Sequence, residues 1–162
     1  MIRFVKNIQD FWSEDLKRHS YARQVPFVAK NFDHLDRTYY NRDYLLQSFN
    51  DELPGCWKNF YSAVGVDKGS VSWTCIIPNL ILPSHRDTFF TLRQQLQIEV
   101  EQCIRYLIFL EDWQFGHLLG FEHMNIVNWK KGDVWAFDST ELHFAVNASN
   151  SHFHSCQVST TI

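Results

Sequence analysis

Three residues of this chain carry side chains able to grip one divalent ion together. His85-Arg86-Asp87 sets an imidazole and a carboxylate two positions apart, and in extended backbone such positions share a face. A second imidazole, His143, follows far downstream, after the turn Gly132-Asp133 and the apolar run Val134-Trp135-Ala136-Phe137. Two imidazoles and one carboxylate on one side of an ion leave the other side open. That donor set suits Fe(II), which needs vacancies for O₂ and a co-substrate; a structural zinc site is usually closed by four ligands, often thiolates. The short motif alone is weak, since 8 His and 11 Asp produce about half an HxD by chance. A second HxD, His34-Leu35-Asp36, precedes every predicted strand and reads as surface. On spacing alone, the alternative for His85, Asp87 and His143 is three unrelated polar residues in turns.

The elements that must position these residues are short strands. Val71, Trp73, Cys75 and Ile77 alternate with Ser70, Ser72 and Thr74, which predicts a half-buried strand broken by Pro78-Asn79. Leu80 to Leu82 lead into Pro83-Ser84-His85. A helix or ordered excursion is expected over 89–101 and a strongly apolar strand over 103–111. Further strands are expected near 117–119, 125–129, 134–137, 142–146 and 152–161, punctuated by Gly116, Gly120 and Gly132-Asp133. Regularly spaced short strands with turn signals indicate a sandwich or barrel. The first third reads instead as helical and irregular cladding, with Leu45, Leu46, Phe49 and Leu53 at helical spacing over 41–53, ended by Pro54-Gly55. The expectation is a single domain over 1–162, with cladding over 1–69 and a β core over 70–162.

Composition bounds the rest. A chain of 162 residues has room for one core. Its 14 Phe, 6 Trp and 6 Tyr supply large buried areas, so packing is the first use expected of them. A net charge of −3 and the absence of a basic stripe argue against nucleic acid as a partner. The four cysteines form no CxxC, and Cys75, Cys103 and Cys156 alternate with apolar or small residues in strand-like runs, which suits free thiols in a reducing compartment. No apolar run reaches membrane-spanning length, so neither a membrane partner nor a location other than the cytoplasm is expected.

The stretch LPSHRDTFFTLR … IRYLIFLEDWQFGHLLGF … VNWKKGDVWAFDSTELHFAVN resembles the Fe(II)/2-oxoglutarate oxygenase superfamily. Within it, the similarity is to the aspartyl/asparaginyl and prolyl hydroxylase-like branch, including small phage-type members. It covers roughly residues 70 to 162 and rests on the HxDT, the following strand, the Gly-Asp turn and the distal His. The resemblance implies a mainly β fold, a double-stranded β-helix (jelly-roll, cupin-like) core, with Fe(II) on His85, Asp87 and His143. It also implies 2-oxoglutarate and O₂ as co-substrates, and a small-molecule or peptide substrate that is hydroxylated.

The sequence departs from that family at one point. Its members usually carry an Arg on the last strand to hold the distal carboxylate of 2-oxoglutarate, yet no Lys or Arg occurs from Phe144 to Ile162. Arg105, which shares a strand face with Leu107 and Phe109, is the expected substitute, because a buried guanidinium needs an anionic partner. The resemblance supports that choice, and the alternatives are a structural ion pair or a role for Arg93. His154, Ser155, Gln157 and Thr74 are candidate helpers, and each could instead be an ordinary polar residue of the sandwich. His117 either faces the pocket or is structural. His152-Phe153-His154 is an HxH that supports a rival reading, a cupin-like metal- or ligand-binding protein without oxygenase turnover. Trp113, Trp129 and Trp135 read as core.

Overall fold

Alternating apolar positions build strands, and the computed structural model, which describes residues 1–26 and 44–162, gathers them into two antiparallel sheets. In chain order the strands are β1 (Arg3–Asn7), β2 (Arg23–Pro26), β3 (Tyr44–Phe49), β4 (Ser70–Ile76), β5 (Leu80–His85) and β6 (Cys103–Phe109). They continue with β7 (His117–Phe121), β8 (Met124–Ile126), β9 (Asp133–Asp138), β10 (His143–Asn147) and β11 (Phe153–Thr161). Three short helices, α1 (Ser13–Arg18), α2 (Asn59–Val64) and α3 (Phe90–Leu96), lie between them. The larger sheet has the order β1-β9-β6-β11-β4-β3-β2 and the smaller β5-β10-β7-β8. From β4 onward the chain winds between the sheets, with β4, β6, β9 and β11 on one side and β5, β7, β8 and β10 on the other. That winding is the expected double-stranded β-helix. Among the described residues, no helix is long and apolar enough to cross a membrane.

The first 69 residues do more than clad this core. β1 extends one edge of the larger sheet, and β2 and β3 extend the other. The helix expected over 41–53 is, from residue 44 on, a strand followed by one tight turn at Asn50–Glu52. Leu45, Leu46 and Phe49 fit a helical period, but the run is short enough to fit a strand too. Pairing decides the matter, because Leu46 lies opposite Cys75 and Phe49 opposite Ser72 on β4. The pair His34-Asp36, and residues 41–43, lie outside the described residues.

Two apolar layers hold the sheets. Phe109, Trp129, Phe137 and Phe153 of the larger sheet and its loops meet Leu119, Phe121 and Ala145 of the smaller one. On the outer face of the larger sheet, Val71, Trp73, Ile108, Val134 and Val158 pack under Trp12 and Phe60. Trp12 also donates its indole N–H to the Leu110 carbonyl at 2.9 Å, which fixes the N-terminal segment there. Each such side chain contributes ~1.5–3 kcal/mol by leaving water, so the aromatic excess serves packing on both faces.

The outer layer inverts one expectation. β4 was expected to be half buried, with Ser70, Ser72 and Thr74 toward solvent. Instead Val71, Ser72, Trp73, Thr74 and Cys75 are all buried. Val71 and Trp73 face the outer aromatic layer, and the serines and threonine face the space between the sheets. The alternation was legible; which face was wet was not.

Gly132 shows why the Gly-Asp turn is needed. Its φ is 88°, and a Cβ there would collide with the Ile8 carbonyl oxygen. Its N–H donates to the Phe109 carbonyl at 2.8 Å, tying the start of β9 to the end of β6.

Candidate metal centre

β5 ends at His85 and β10 begins at His143, and the register places the two residues directly opposite each other. Opposed residues of an antiparallel pair present side chains on the same face, so the rings lie side by side with centroids 4.3 Å apart. Asp87, two residues past His85, brings its carboxylate up to both. Its Oδ1 is 3.9 Å from His85 Nε2, and its Oδ2 is 3.8 Å from His143 Nε2. These gaps exceed a hydrogen bond. Two ligands ~2.1 Å from a shared ion sit ~3.0–3.4 Å apart, so small side-chain rotations close the triad on a cation.

Each imidazole is oriented by its own backbone. His85 Nδ1 lies 2.7 Å from the Pro83 carbonyl and His143 Nδ1 lies 3.0 Å from the Glu141 carbonyl. A carbonyl accepts only, so Nδ1 carries the proton and each Nε2 keeps a lone pair aimed at the common point. Burial, opposed by the Asp87 charge, pulls the His143 pKa down to about 4, so that ring is neutral at pH 7 and available as a ligand. Phe137 and Phe121, with ring centroids 4.9 and 5.7 Å from that of His143, supply the apolar wall.

Asp87 Oδ2 is buried and has no hydrogen-bond donor. It nevertheless has a counter-charge: Arg105 Nη1 lies 2.8 Å away, at an angle that makes an ion pair without a hydrogen bond. The Arg105 guanidinium lies over the Phe89 ring at 5.0 Å and its Nε donates to Ser159 Oγ at a long 3.4 Å. Phe89 itself holds a left-handed backbone, φ 48°, an uncommon conformation for a bulky residue that turns its ring under Arg105. An under-bonded buried carboxylate oxygen beside two free imidazole lone pairs fits a divalent metal ion.

The other expected site residues fall on a ladder across the inner face of the larger sheet. Ser70, Ser159 and Arg105 form one rung, Ser72, Gln157 and Leu107 the next, and Thr74, Ser155 and Phe109 the third. Successive rungs are ~7 Å apart along the strands, so Thr74 and Ser155 lie ~13 Å from the Arg105 rung. Gln47 Nε2 donates to Thr74 Oγ1 at 3.3 Å. This polar inner face runs from the triad into the sandwich.

His154 is not part of it. One position off the Ser155 face, it points to the outer side, where it lies opposite Cys75 and its Nδ1 meets the Tyr21 hydroxyl at 2.6 Å. The structure therefore separates His154 from the triad, and the co-substrate role expected for it loses its geometric basis. Arg93 approaches Glu99 at 3.7 Å instead of the triad. His117 is a buried structural residue at the far end of β10, stacked on Phe153 and bonded to Ser149 Oγ at 3.0 Å. Trp129 is core, stacked on Phe109 at 4.0 Å.

The rim also divides. The segment around α3 borders the triad, through Phe89 beneath Arg105. The segment over 111–124 begins at the opposite end, where Glu111 lies near His154. Only its tip past Phe121, which pairs with His143, reaches the triad. The sequence offered no signal for the Arg105–Asp87 contact, because it joins a strand to a loop on the other sheet.

No family model matches the sequence, and no curated relative matches it. Solved structures share its fold. A non-heme alpha-ketoglutarate-dependent carbocyclase from nogalamycin biosynthesis aligns with a TM-score of 0.54 at 14% identity, over 71% of this chain and 62% of its own. A predicted oxalate decarboxylase from Thermotoga maritima gives 0.47 at 14% identity, over 75% of this chain and 84% of its own. A cupin superfamily protein from Desulfitobacterium hafniense DCB-2 gives 0.41 at 12% identity, over 89% and 94%. At such identities the likeness is one of fold. By strand order, and by likeness of fold to the carbocyclase, this chain folds as a mainly β double-stranded β-helix, with candidate metal ligands at one end of the sandwich.

Proposed function

We propose that this chain is an Fe(II)- and 2-oxoglutarate-dependent oxygenase that hydroxylates a C–H bond of a peptide or amino-acid-like substrate. One observation carries the reading. His85 and His143 present Nε2 lone pairs, and Asp87 a buried and under-bonded oxygen, to a single point at the end of the sandwich. These three residues would hold the ion. With 2-oxoglutarate and O₂ bound, Fe(II) at that point supplies oxidative decarboxylation to succinate and CO₂ coupled to hydroxylation of a C–H bond.

The protein's own part is positioning. The backbone carbonyls of Pro83 and Glu141 fix both imidazoles, and Phe121 and Phe137 keep water from the His143 side. Arg105 pairs with Asp87 in the absence of an ion. With a cation held by Asp87, the guanidinium would be free to pair with a co-substrate carboxylate beside it. The Ser72 hydroxyl and the Gln157 amide, one rung in from Arg105, line the inner face along which the rest of that molecule would lie, with Thr74 and Ser155 a rung deeper. The substrate class follows from family resemblance alone.

A second reading, a cupin-like metal- or small-ligand-binding protein without turnover, is favoured by the absence of any Lys or Arg from Phe144 to Ile162. The test is anaerobic loading with Fe(II), addition of 2-oxoglutarate and O₂, and measurement of succinate. Succinate formed by the wild-type chain and lost in His143→Ala supports the oxygenase. Metal binding at the triad without succinate or 2-oxoglutarate binding selects the second reading.

A further inference from the structure

On the outer face of the larger sheet, a second group of donors meets. Cys75 of β4 and His154 of β11 are register partners, and His152, two residues before His154, falls on the same side. The Cys75 sulfur and one ring nitrogen each from His152 and His154 all lie within 4.8 Å of one another. Glu111 follows Leu110, whose N–H donates to the His154 carbonyl, and Glu111 Oε2 lies 3.9 Å from His154 Nε2. The group opens onto a cleft of about 920 Å³ beneath α1, lined also by His19 and Tyr21.

We propose that Cys75, His152 and His154, completed by Glu111, form a second metal site that binds Zn(II). The donor set is one thiolate, two imidazoles and one carboxylate, which matches a four-coordinate ion of borderline softness and differs from the harder, thiolate-free triad. The tautomer of His154 suits it. The Tyr21 hydroxyl at 2.6 Å from Nδ1 can accept that proton, leaving the Nε2 lone pair on the side of Glu111. The ring is also stacked on Tyr21, with centroids 5.8 Å apart and planes 13° from parallel, which limits its rotation.

The plainer account makes Cys75 a small buried apolar residue and the two imidazoles incidental neighbours. Two features weigh against it. Cys75 is fully buried, yet its sulfur lies within reach of both imidazoles, where an apolar packing residue gains nothing from them. His152 is exposed and free to swing elsewhere, and nonetheless it meets His154 at 5.5 Å between ring centroids. Neither feature depends on the triad or on the oxygenase reading.

Cobalt(II) separates this site from the triad, because only a thiolate ligand gives a sulfur-to-Co(II) charge-transfer band in the near ultraviolet. The experiment uses the full chain carrying His143→Ala, purified without a His tag and kept reduced, titrated with Co(II). The expected result is a charge-transfer band that saturates at one ion per chain and bleaches when Zn(II) is added. Cys75→Ser in the same background should remove the band. His152→Ala, which alters an exposed ring and leaves the core intact, should weaken Co(II) binding about tenfold or more. No band at saturating Co(II), a band that persists in Cys75→Ser, or unchanged affinity in His152→Ala would each overturn the proposal.

Discussion

A histidine stands at each end of β10, one on the strand itself and one on its neighbour β7, and their surroundings differ. His143, at its first residue, and His117, opposite its last residue Asn147, are both buried, and burial lowers both pKa values. At the His117 end the polar side chains bond to hydroxyls and carbonyls. His117 Nε2 meets Ser149 Oγ, and the Asn147 amide donates to the Ile76 and Ser151 carbonyls at 2.7 and 2.8 Å. At the His143 end, Nδ1 is satisfied while Nε2 faces a second imidazole and a carboxylate oxygen without a hydrogen bond. Burial and pKa do not distinguish a structural histidine from a candidate ligand here. What the Nε2 atom faces does: serine hydroxyls at His117, a second imidazole and a carboxylate at His143.

The sharpest way to break that comparison is to truncate both. His143→Ala should weaken divalent-metal binding at the triad on the order of 100-fold or more, with the fold kept. His117→Ala should leave metal affinity unchanged and cost about 2–4 kcal/mol of stability, from the lost stack on Phe153 and the lost hydrogen bond. Calorimetric metal titration and urea unfolding read the two quantities separately. If His117→Ala lost metal, or His143→Ala kept it, the division between the two ends would fall.

The pH dependence of the metal-free protein sharpens the same point. Burial pulls both His143 and His154 from 6.5 down to about 4. Between those values the unfolded chain binds more protons than the folded one, so stability falls as pH is lowered through that window and is fully present above 6.5. Each ring contributes a loss on the order of 3 kcal/mol across the full window. Urea unfolding from pH 7 to pH 5 should show a falling midpoint, and His154→Gln should flatten it. A midpoint that is level over this range would contradict the burial of both rings as neutral groups.

How far the sequence led is clearest in these same residues. His85, Asp87 and His143 were legible because a motif at i and i+2, a Gly-Asp turn and a distal imidazole are local signals. β4 and β6 were legible from apolar alternation and composition. β3 was not, since Leu45, Leu46 and Phe49 fit two periods and only pairing with β4 chooses between them. The place of Arg105 was half legible. Its burial called for an anion, and the anion it meets is Asp87, across the gap between the sheets. His154 was misplaced by one position of strand parity, which sends it to the outer face and to Cys75. No spacing announces a thiol that joins two imidazoles so far along the chain.

Arg105 offers the next smaller effect. Arg105→Met removes a cation 2.8 Å from the Asp87 oxygen, so it also removes a competitor for any metal bound there. Divalent-metal affinity should hold or rise, while 2-oxoglutarate affinity falls about ten- to a hundredfold, the loss of one or two charge-assisted bonds. Titration of 2-oxoglutarate into the Mn(II)-loaded variant checks this. Equal 2-oxoglutarate affinity with and without the guanidinium would move the anchor elsewhere.

The smallest effect tests the two faces of a single strand. Thr74 and Val71 both lie on β4 and both are buried, but Thr74 faces the polar space between the sheets and Val71 the outer aromatic layer. If the inner hydroxyls line the co-substrate, exchanging polarity on the two faces has unlike consequences. Thr74→Val keeps the volume and removes one neutral hydrogen-bonding group, worth about 0.5–1.5 kcal/mol, so 2-oxoglutarate affinity should fall a few-fold with stability little changed. Val71→Thr puts an unpartnered hydroxyl among Trp73, Ile108 and Val158, which costs about 1–3 kcal/mol of stability and leaves ligand affinity alone. Ser155, the register partner of Thr74, should behave as Thr74 does when replaced by Ala. If Thr74→Val and Ser155→Ala both bind 2-oxoglutarate as tightly as the wild-type chain, the polar inner face is sandwich packing and the co-substrate lies closer to Arg105 and the triad.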